Sequence, residues 1–192
     1  ANPKDQPIDL KRACLQHEHY IAALEKTGVE IVSLPAIHGY PDAPFVEDTT
    51  VVFDHLALAC PNKEKSRRGE GASIHKEIKK YRTIKTLPPS VTLDGGDVLN
   101  TDEKIFVGIS ERTNMEAVDA LAKFTKKPVF PVEVLFGLHL KTSVTYLGNN
   151  ILVLDPSSLD THPLREFKWV EISRPNRYAA NCLAIGDTVL MS

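Results

Sequence analysis

The amino-acid sequence predicts an α/β fold built from a repeated strand–strand–helix–strand unit. Short runs rich in β-branched and aromatic residues come in closely spaced pairs, which is typical of strands joined by turns. Each pair precedes a segment of helical periodicity and one further apolar run, and this order recurs roughly every 40–48 residues. Because one unit cannot bury its own apolar face, repeats of this kind stack or close into a ring. We therefore expect residues 1–192 to form a single domain.

Three complete units are predicted along the middle of the chain. Their elements, in chain order, are strands 50–53 and 56–59, helix 70–81 and strand 83–87 in the first unit; strands 96–99 and 105–109, helix 114–126 and strand 128–132 in the second; and strands 143–147 and 151–154, helix 157–166 and strand 168–172 in the third. The alternative is an ordinary α+β domain whose period arises by chance.

Incomplete units flank these three. An amphipathic helix is predicted at 9–27, with Asp9 as its N-cap and Gly28 as its C-terminal cap, and a strand follows at 29–34. A final hairpin spans 182–191. Because a ring would not be cut inside two of its units, the pattern predicts that further sequence exists on both sides.

The composition argues against several functional classes. The formal net charge is −2 at pH 7, so no basic surplus indicates a nucleic-acid partner. No apolar stretch approaches the roughly 20 residues that a membrane span needs. The three cysteines, Cys14, Cys60 and Cys182, are odd in number and far apart in the chain. This pattern predicts reduced core thiols and a cytoplasmic protein.

Polar motifs occupy the same place in successive units, immediately before the first strand. They are Phe45-Val46-Glu47-Asp48, Leu93-Asp94-Gly95-Gly96-Asp97, His139-Leu140-Lys141-Thr142 and Ala179-Ala180-Asn181-Cys182. Because equivalent positions in a ring converge on its axis, we expect two acidic clusters and a histidine to meet at one site. Adjacent carboxylates such as Glu47 and Asp48 suit a planar cation, and His139 could transfer protons near neutral pH.

Two loop arginines also occupy equivalent positions. Arg67 precedes the predicted helix of the first unit, and Arg112 precedes that of the second. Together they could bind a carboxylate, because a guanidinium pairs with a carboxylate through two parallel hydrogen bonds. Either arginine taken singly is more typical of a solvated loop.

Six segments together, in order and spacing, resemble the dimethylarginine dimethylaminohydrolase family of the guanidine-modifying superfamily. They read PDAPFVED at 41–48, SRRGE at 66–70, LDGGDVL at 93–99, FVGISERTN at 106–114, GLHLK at 137–141 and AANC at 179–182. The resemblance implies a five-bladed α/β propeller of pseudo-symmetric units, which agrees with the repeat. It also implies a small-molecule substrate and no metal or organic cofactor, and it leaves the oligomeric state open, a homodimer included.

The resemblance implies a role for seven residues. Glu47 and Asp48 would hold the substrate guanidinium, Asp42 its α-amino group, Arg67 and Arg112 its α-carboxylate, and His139, oriented by Asp94, would be the general acid and base. The nucleophile of the family is a cysteine near the C-terminal end, which no cysteine here matches, so it is expected beyond Ser192 and this chain alone is expected to be inactive. The implied reaction converts Nω-methylated arginine to citrulline and methylamine or dimethylamine through a covalent thiolate mechanism.

Two alternatives stay open. Arginine deiminases and amidinotransferases of the same superfamily carry an aspartate two residues after the catalytic histidine, where this sequence has Lys141. That difference favours the methylarginine hydrolase, and it predicts that Lys141 points away from the site, since its charge would repel a cationic substrate. The second alternative is a binding or regulatory protein that lacks the nucleophile.

Overall fold

The architecture is α/β, as the sequence predicts. The computed structural model describes residues 8–191, which contain three three-stranded sheets and one two-stranded sheet. In each three-stranded sheet the first two strands pair antiparallel, and the third pairs parallel with the second. A parallel pair needs a crossover connection, which accounts for the longer segment before each third strand. This topology confirms the repeated unit.

Helix α1 (Leu10–Glu25) lies where the sequence predicts an amphipathic helix. The side chain of Asp9 accepts a hydrogen bond from the Arg12 amide at 3.1 Å, and Gly28 has a φ of +84°, which favours glycine. The predicted strand at 29–34 is wrong, because that segment is irregular. In the complete units the closing strand pairs with the middle strand of its own sheet, and no strand among the described residues pairs with segment 29–34.

The apolar stripe predicted on α1 is not covered. Within the described chain, α1 buries none of its residues. The predicted core position of Cys14 is therefore wrong, because Cys14 is exposed. Burial of a helical stripe needs a sheet or helix opposite it, and periodicity alone does not supply one. Cys60 and Cys182 are both partly buried.

The three complete units follow with bounds close to those predicted. They consist of β1 (Thr50–Val52), β2 (Leu56–Ala59), α2 (Gly71–Ile78) and β3 (Thr83–Thr86); β4 (Val98–Asn100), β5 (Ile105–Ile109), α3 (Glu116–Phe124) and β6 (Val129–Glu133); and β7 (Val144–Gly148), β8 (Ile151–Leu154) and β9 (Lys168–Glu171). The last hairpin contains β10 (Leu183–Ile185) and β11 (Thr188–Leu190).

Across residues 8–191, no helix combines the length and apolar character that crossing a bilayer requires.

The third unit lacks the helix predicted at 157–166. A single 3-10 turn, His162–Leu164, lies in that segment instead. Pro163 disfavours a helix there, because proline has no N–H donor and its ring clashes with the preceding turn. Asp155 also accepts hydrogen bonds from the amide and hydroxyl of Ser157, and such local bonds compete with helix formation.

The sheet of the second unit (β4, β5 and β6) is covered by apolar side chains on both faces. Side chains of β5 alternate between two apolar clusters, as expected for a strand. Ile105 and Val107 lie in the first cluster with Leu58 of the preceding unit, and Phe106 lies in the second with Leu140. The second unit is therefore held between the first and the third, and this packing fixes the relative positions of their turns.

A short 3-10 turn precedes the first strand of each unit and of the last hairpin. The four turns are Val46–Thr49, Gly95–Asp97, Leu140–Thr142 and Arg174–Ala180. Each turn contacts the next one in chain order. The predicted approach of the polar motifs is therefore confirmed for neighbouring units, and side chains of the first three motifs, Asp48, Asp94 and His139, lie together.

Candidate active site

A histidine–aspartate pair lies where the second and third turns meet. His139 Nε2 lies 3.2 Å from Asp94 Oδ2, which confirms the contact predicted from the sequence. Their exposed fractions are only 6% and 0%. The other oxygen of Asp94 accepts a hydrogen bond from Asn62 Nδ2 at 2.7 Å, so the carboxylate is held from both sides. A carboxylate in this position selects the imidazole tautomer that carries its hydrogen on Nε2.

The surroundings of this pair favour the charged form of both groups. Burial disfavours the imidazolium, but the hydrogen bond to Asp94 outweighs it and raises the pKa of His139. The negative charges of Asp97 and Asp48 act in the same direction. Burial also disfavours the Asp94 carboxylate, whereas hydrogen bonds from His139 and Asn62 bring its pKa below the ordinary value. A protonated imidazole beside a carboxylate is the form that a general acid needs.

Asp48 adds a second buried carboxylate. Its Oδ1 lies 4.0 Å from His139 Nε2 and accepts a hydrogen bond from the Gly96 amide at 3.2 Å. Its Oδ2 pairs with Arg67 Nη1 at 2.7 Å. Ligand atoms of Asp48, Asp94 and His139 all lie within 4.8 Å of one another. Such a set could hold a metal ion, and the same concentration of negative charge suits a planar organic cation.

Two glycines allow the turns to come this close. A Cβ at Gly95 would lie 2.0 Å from the carbonyl oxygen of Glu47, so any side chain there would push the first two turns apart. A Cβ at Gly96 would lie 2.8 Å from Asp48 Oδ1 and 3.0 Å from His139 Cγ. The Asp-Gly-Gly-Asp motif is therefore more than a tight turn, because its glycines make room for the carboxylate and the imidazole.

Glu47 is the exposed member of the predicted carboxylate pair. Its side chain is 63% exposed, and its Oε1 lies 2.6 Å from Lys141 Nζ. The expectation that Lys141 points away from the site is therefore wrong. The reason is that a nearby carboxylate attracts the ammonium group toward the neighbouring turn. The third motif thus brings a lysine, and a histidine whose pKa is raised, to a cluster rich in carboxylates.

Arg67 is buried within the carboxylate cluster. Its Nε donates to Glu70 Oε2 at 2.9 Å, and its Nη1 donates to Asp48 Oδ2 at 2.7 Å. Its Nη2 lies 3.3 Å from the carbonyl oxygen of Asp42, an exposed residue at the edge of the cluster. Burial disfavours the cation, but the hydrogen bonds to the two carboxylates outweigh it and raise the pKa of Arg67. Protein groups therefore engage the guanidinium that the sequence predicts to bind a substrate carboxylate.

Arg112 has different surroundings. Its Nη1 lies 3.7 Å from Asp94 Oδ2, which is within ion-pair range but too long for a hydrogen bond. Among the described residues, this nitrogen is a buried side-chain atom without a hydrogen-bond partner. Buried donors are rarely left unpaired, and one beside a functional cluster indicates a ligand group that completes it. An anionic group of a bound molecule would satisfy this nitrogen.

Four buried polar residues that the sequence did not single out complete the site. They are Asn62, Glu70, Asp97 and Thr113. Asn62 and Glu70 hold Asp94 and Arg67, and Thr113 contacts the second turn. Asp97, Glu70 and Thr113 lie within the family-like segments at 93–99, 66–70 and 106–114, which offered a signal for them. Asn62 showed none, because its partner Asp94 lies 32 positions away and leaves no local pattern.

The two partly buried cysteines are poorly placed to act as nucleophiles. Burial raises the pKa of the Cys60 thiol, and the negative charge of Asp94 raises it further. A raised pKa leaves little thiolate, which is the reactive form. Cys182 follows the fourth turn, and its amide donates to the Thr145 hydroxyl at 3.2 Å. Both positions agree with the structural roles expected from the sequence.

Comparisons with known proteins indicate the family to which the chain belongs. A protein-family model described as N,N dimethylarginine dimethylhydrolase, eukaryotic, matches residues 2–167. The N(G),N(G)-dimethylarginine dimethylaminohydrolase of Pseudomonas aeruginosa is 30% identical over 188 residues, which cover 95% of this chain and 74% of that protein. The match to the family model thus covers all three complete units except β9, the closing strand of the third.

Solved structures lead to the same conclusion. The P. aeruginosa dimethylarginine dimethylaminohydrolase, as a cysteine-to-serine variant complexed with citrulline, superposes with a TM-score of 0.88 at 29% identity, covering 95% of this chain and 74% of that chain. The N-terminal domain of ArgZ, a cyanobacterial arginine dihydrolase, superposes with a TM-score of 0.85 over 93% of this chain and 71% of that chain, and at 19% identity it shows a shared fold. By sequence and by structure, the chain belongs to the dimethylarginine dimethylaminohydrolase family.

Proposed function

We propose that this protein hydrolyses Nω-methylated arginine to citrulline and releases methylamine or dimethylamine. The observation that carries the proposal is the buried His139–Asp94 pair beside Asp48. This arrangement puts a proton-transfer group next to carboxylates that suit a guanidinium. The citrulline bound to the P. aeruginosa relative supports the product.

The substrate is held by opposite charges at its two ends. Glu47 and Asp48 bind the guanidinium, and each carboxylate oxygen keeps acceptor capacity beyond its present partner. Asp42, at the exposed edge, binds the α-amino group. Arg112 binds the α-carboxylate through its unpaired nitrogen. Arg67 can share that carboxylate, and its bond to Asp48 also holds the guanidinium-binding group in place.

The reaction has two halves that share one histidine. A cysteine thiolate from outside residues 8–191 forms a bond to the guanidinium carbon, and the imidazolium of His139 gives its proton to the departing nitrogen. The carbon–nitrogen bond breaks and the amine leaves. Neutral His139 then takes a proton from water, and the resulting hydroxide attacks the same carbon. The carbon–sulfur bond breaks, the added hydroxyl loses its proton to the released amine or to solvent as the carbonyl forms, and citrulline and the thiolate are released. Asp94 keeps the imidazole oriented through both halves.

The decisive experiment measures citrulline release by the complete native protein from arginine, monomethylarginine and asymmetric dimethylarginine. We expect both methylated substrates to exceed arginine in specificity constant. A site for arginine must pair every guanidinium N–H, because a buried unpaired donor costs about 1–3 kcal/mol. A methylated nitrogen has fewer N–H groups, and Lys141 stands where the deiminases have an aspartate.

Each other outcome selects one of the alternatives. Arginine as the best substrate would support the deiminase assignment and overturn this one. No citrulline from any of the three, with tight binding of one of them, would support a binding or regulatory protein. A His139→Gln variant is the control, because it keeps the polar volume of the side chain and removes the general acid. It should bind substrate while releasing no citrulline.

A further inference from the structure

A third buried carboxylate, Asp97, lies beside the site and has no role in the reaction as proposed. Asp97 ends the second turn and is 0% exposed. Burial raises its pKa, because the charged form is costly away from water. Among residues 8–191, no lysine or arginine forms an ion pair with it. An apolar side chain at this position would avoid the cost of burying a carboxylate. The contacts that the two oxygens of Asp97 make should therefore explain why an aspartate stands here.

The first oxygen reaches the turn that carries the histidine. The amide of Leu140, the residue after His139, donates to Asp97 Oδ1 at 2.8 Å. A Cβ at Gly108 in β5 would lie 2.6 Å from Leu140 Cβ and 2.7 Å from Asp97 Oδ1. The glycine therefore leaves the space in which this bond forms. Because Leu140 is fully buried, the bond fixes the backbone from which the imidazole projects.

The second oxygen reaches the loop that carries Arg112. Ser110 Oγ and Thr113 Oγ1 donate to Asp97 Oδ2 at 2.8 and 2.6 Å. Ser110 Oγ also accepts from the Arg112 amide at 3.0 Å. Thr113 Oγ1 accepts from the Asp94 amide at 3.2 Å. One carboxylate thus connects the arginine loop and the backbone of the histidine's partner.

We propose that Asp97 is a positioning residue that fixes His139 and Arg112 relative to each other, so that proton transfer and binding of the substrate's carboxylate share one anchor. The proposal rests on the proposed function of the site for its kinetic consequences. Its structural part, a bond that holds the histidine turn, is independent of that function. A residue that served packing alone would need neither two oxygens nor three donors from two separate segments.

The central test compares Asp97→Ala with Asp97→Asn in the complete native protein. Asparagine keeps an oxygen for the Leu140 amide, and its nitrogen can donate to the Thr113 hydroxyl. Alanine removes every contact. In Asp97→Ala we expect the Leu140 amide to exchange its hydrogen at least about tenfold faster by NMR, since tenfold corresponds to about 1.4 kcal/mol. In Asp97→Asn the exchange rate should stay within about threefold of the native rate.

Kinetics separate a positioning role from a structural one. Asp97→Ala should lower kcat at least about tenfold and raise KM as well, because both anchored groups are released. Asp97→Asn should recover most of both. Ser110→Ala loosens the arginine loop alone, so it should raise KM while kcat changes by less than about twofold. Equal losses in all three variants would indicate a general effect on the fold and would overturn the proposal.

Two further outcomes are decisive. If Asp97→Ala does not fold, as judged by circular dichroism, Gly108→Ala serves in its place, because the added methyl pushes Asp97 away from Leu140 without changing either residue. A native exchange rate at Leu140 in whichever variant folds would overturn the proposal. If the native protein turns over no guanidino substrate, the proposed function fails, whereas the exchange rates still decide the role of Asp97.

Discussion

Arg67 and Arg112 occupy matching loops of successive units, each between the middle strand and the following helix, yet the structure surrounds them differently. The guanidinium of Arg67 is bonded to two carboxylates, and its side chain is 5% exposed. The guanidinium of Arg112 is 3.7 Å from one carboxylate and keeps an unpaired buried nitrogen. Equivalent positions in a repeat therefore need not have equivalent roles.

The difference arises from the residues that face each loop. Glu70 lies three positions after Arg67 and accepts from its Nε, whereas Glu116 opens helix α3 after Arg112 without an ion pair to it among the described residues. Arg67 also faces Asp48 of its own unit. The first loop thus neutralises buried carboxylates, and the second retains a cationic nitrogen for an anion. Stability should depend on the first arginine and substrate affinity on the second.

The largest expected effect is on stability. Arg67→Met leaves Asp48 and Glu70 buried without their cation, which should cost about 3–5 kcal/mol of unfolding free energy. Arg112→Met is the matched control, and it should change that free energy by at most about 1 kcal/mol. Urea unfolding of both variants measures the difference. Equal destabilisation by the two substitutions would show that the loops are equivalent after all.

An intermediate effect is expected on substrate binding. Arg112→Met should raise KM for methylated arginine by roughly 10- to 150-fold, because a hydrogen bond to a charged group contributes about 1.5–3 kcal/mol. The kcat value should change little, since the carboxylate contact is present in ground state and transition state alike. The decarboxylated analogue of the substrate is the control, and its KM should not respond to the substitution. A parallel rise for both compounds would remove Arg112 from the carboxylate site.

The smallest effect concerns the third cation, Lys141. Its partner Glu47 is largely exposed to solvent, which screens the pair, so Lys141→Met should change the unfolding free energy by less than about 1 kcal/mol. The released carboxylate should bind the substrate cation better and lower KM by about two- to fivefold, which is a change below 1 kcal/mol. Lys80→Met breaks the surface pair Lys80–Glu77, also 2.6 Å, and should leave KM unchanged. A higher KM in Lys141→Met would mean that the lysine supports substrate binding.

Most of the fold could be predicted because its signals are local. The spacing of apolar runs located eleven of the twelve strands proposed, and the caps located α1. The errors fall where an element depends on a distant partner. The segment 29–34 has strand composition, but a strand forms only when another is present beside it. Cys14 lies on the apolar stripe that the helical periodicity predicts to be buried. Within the described chain, however, no surface covers α1, and Cys14 is exposed.

The site was predictable in its members but less so in its contacts. The repeat placed Asp94 near His139, because both precede the first strand of neighbouring units. The orientation of Lys141 was predicted wrongly, because repulsion by a cationic substrate favours an outward side chain whereas attraction by Glu47 draws the ammonium group toward the first motif. The partners of Arg67 were not foreseen for a related reason. Charge balance inside a cluster depends on every group present, and a sequence motif displays only a few of them.

The buried thiol of Cys60 bears on how this protein responds to reactive drugs. Its Sγ lies 3.9 Å from the carbonyl oxygen of Leu58, and the negative charges of Asp94 and Asp48 act on it. Electrophilic inhibitors react with thiolates, and the raised pKa of Cys60 keeps it protonated at neutral pH. A covalent inhibitor aimed at the proposed catalytic cysteine would therefore spare Cys60. Among residues 8–191 Cys14 is the exposed cysteine, so it is the one of the three against which such an inhibitor would have to be selective.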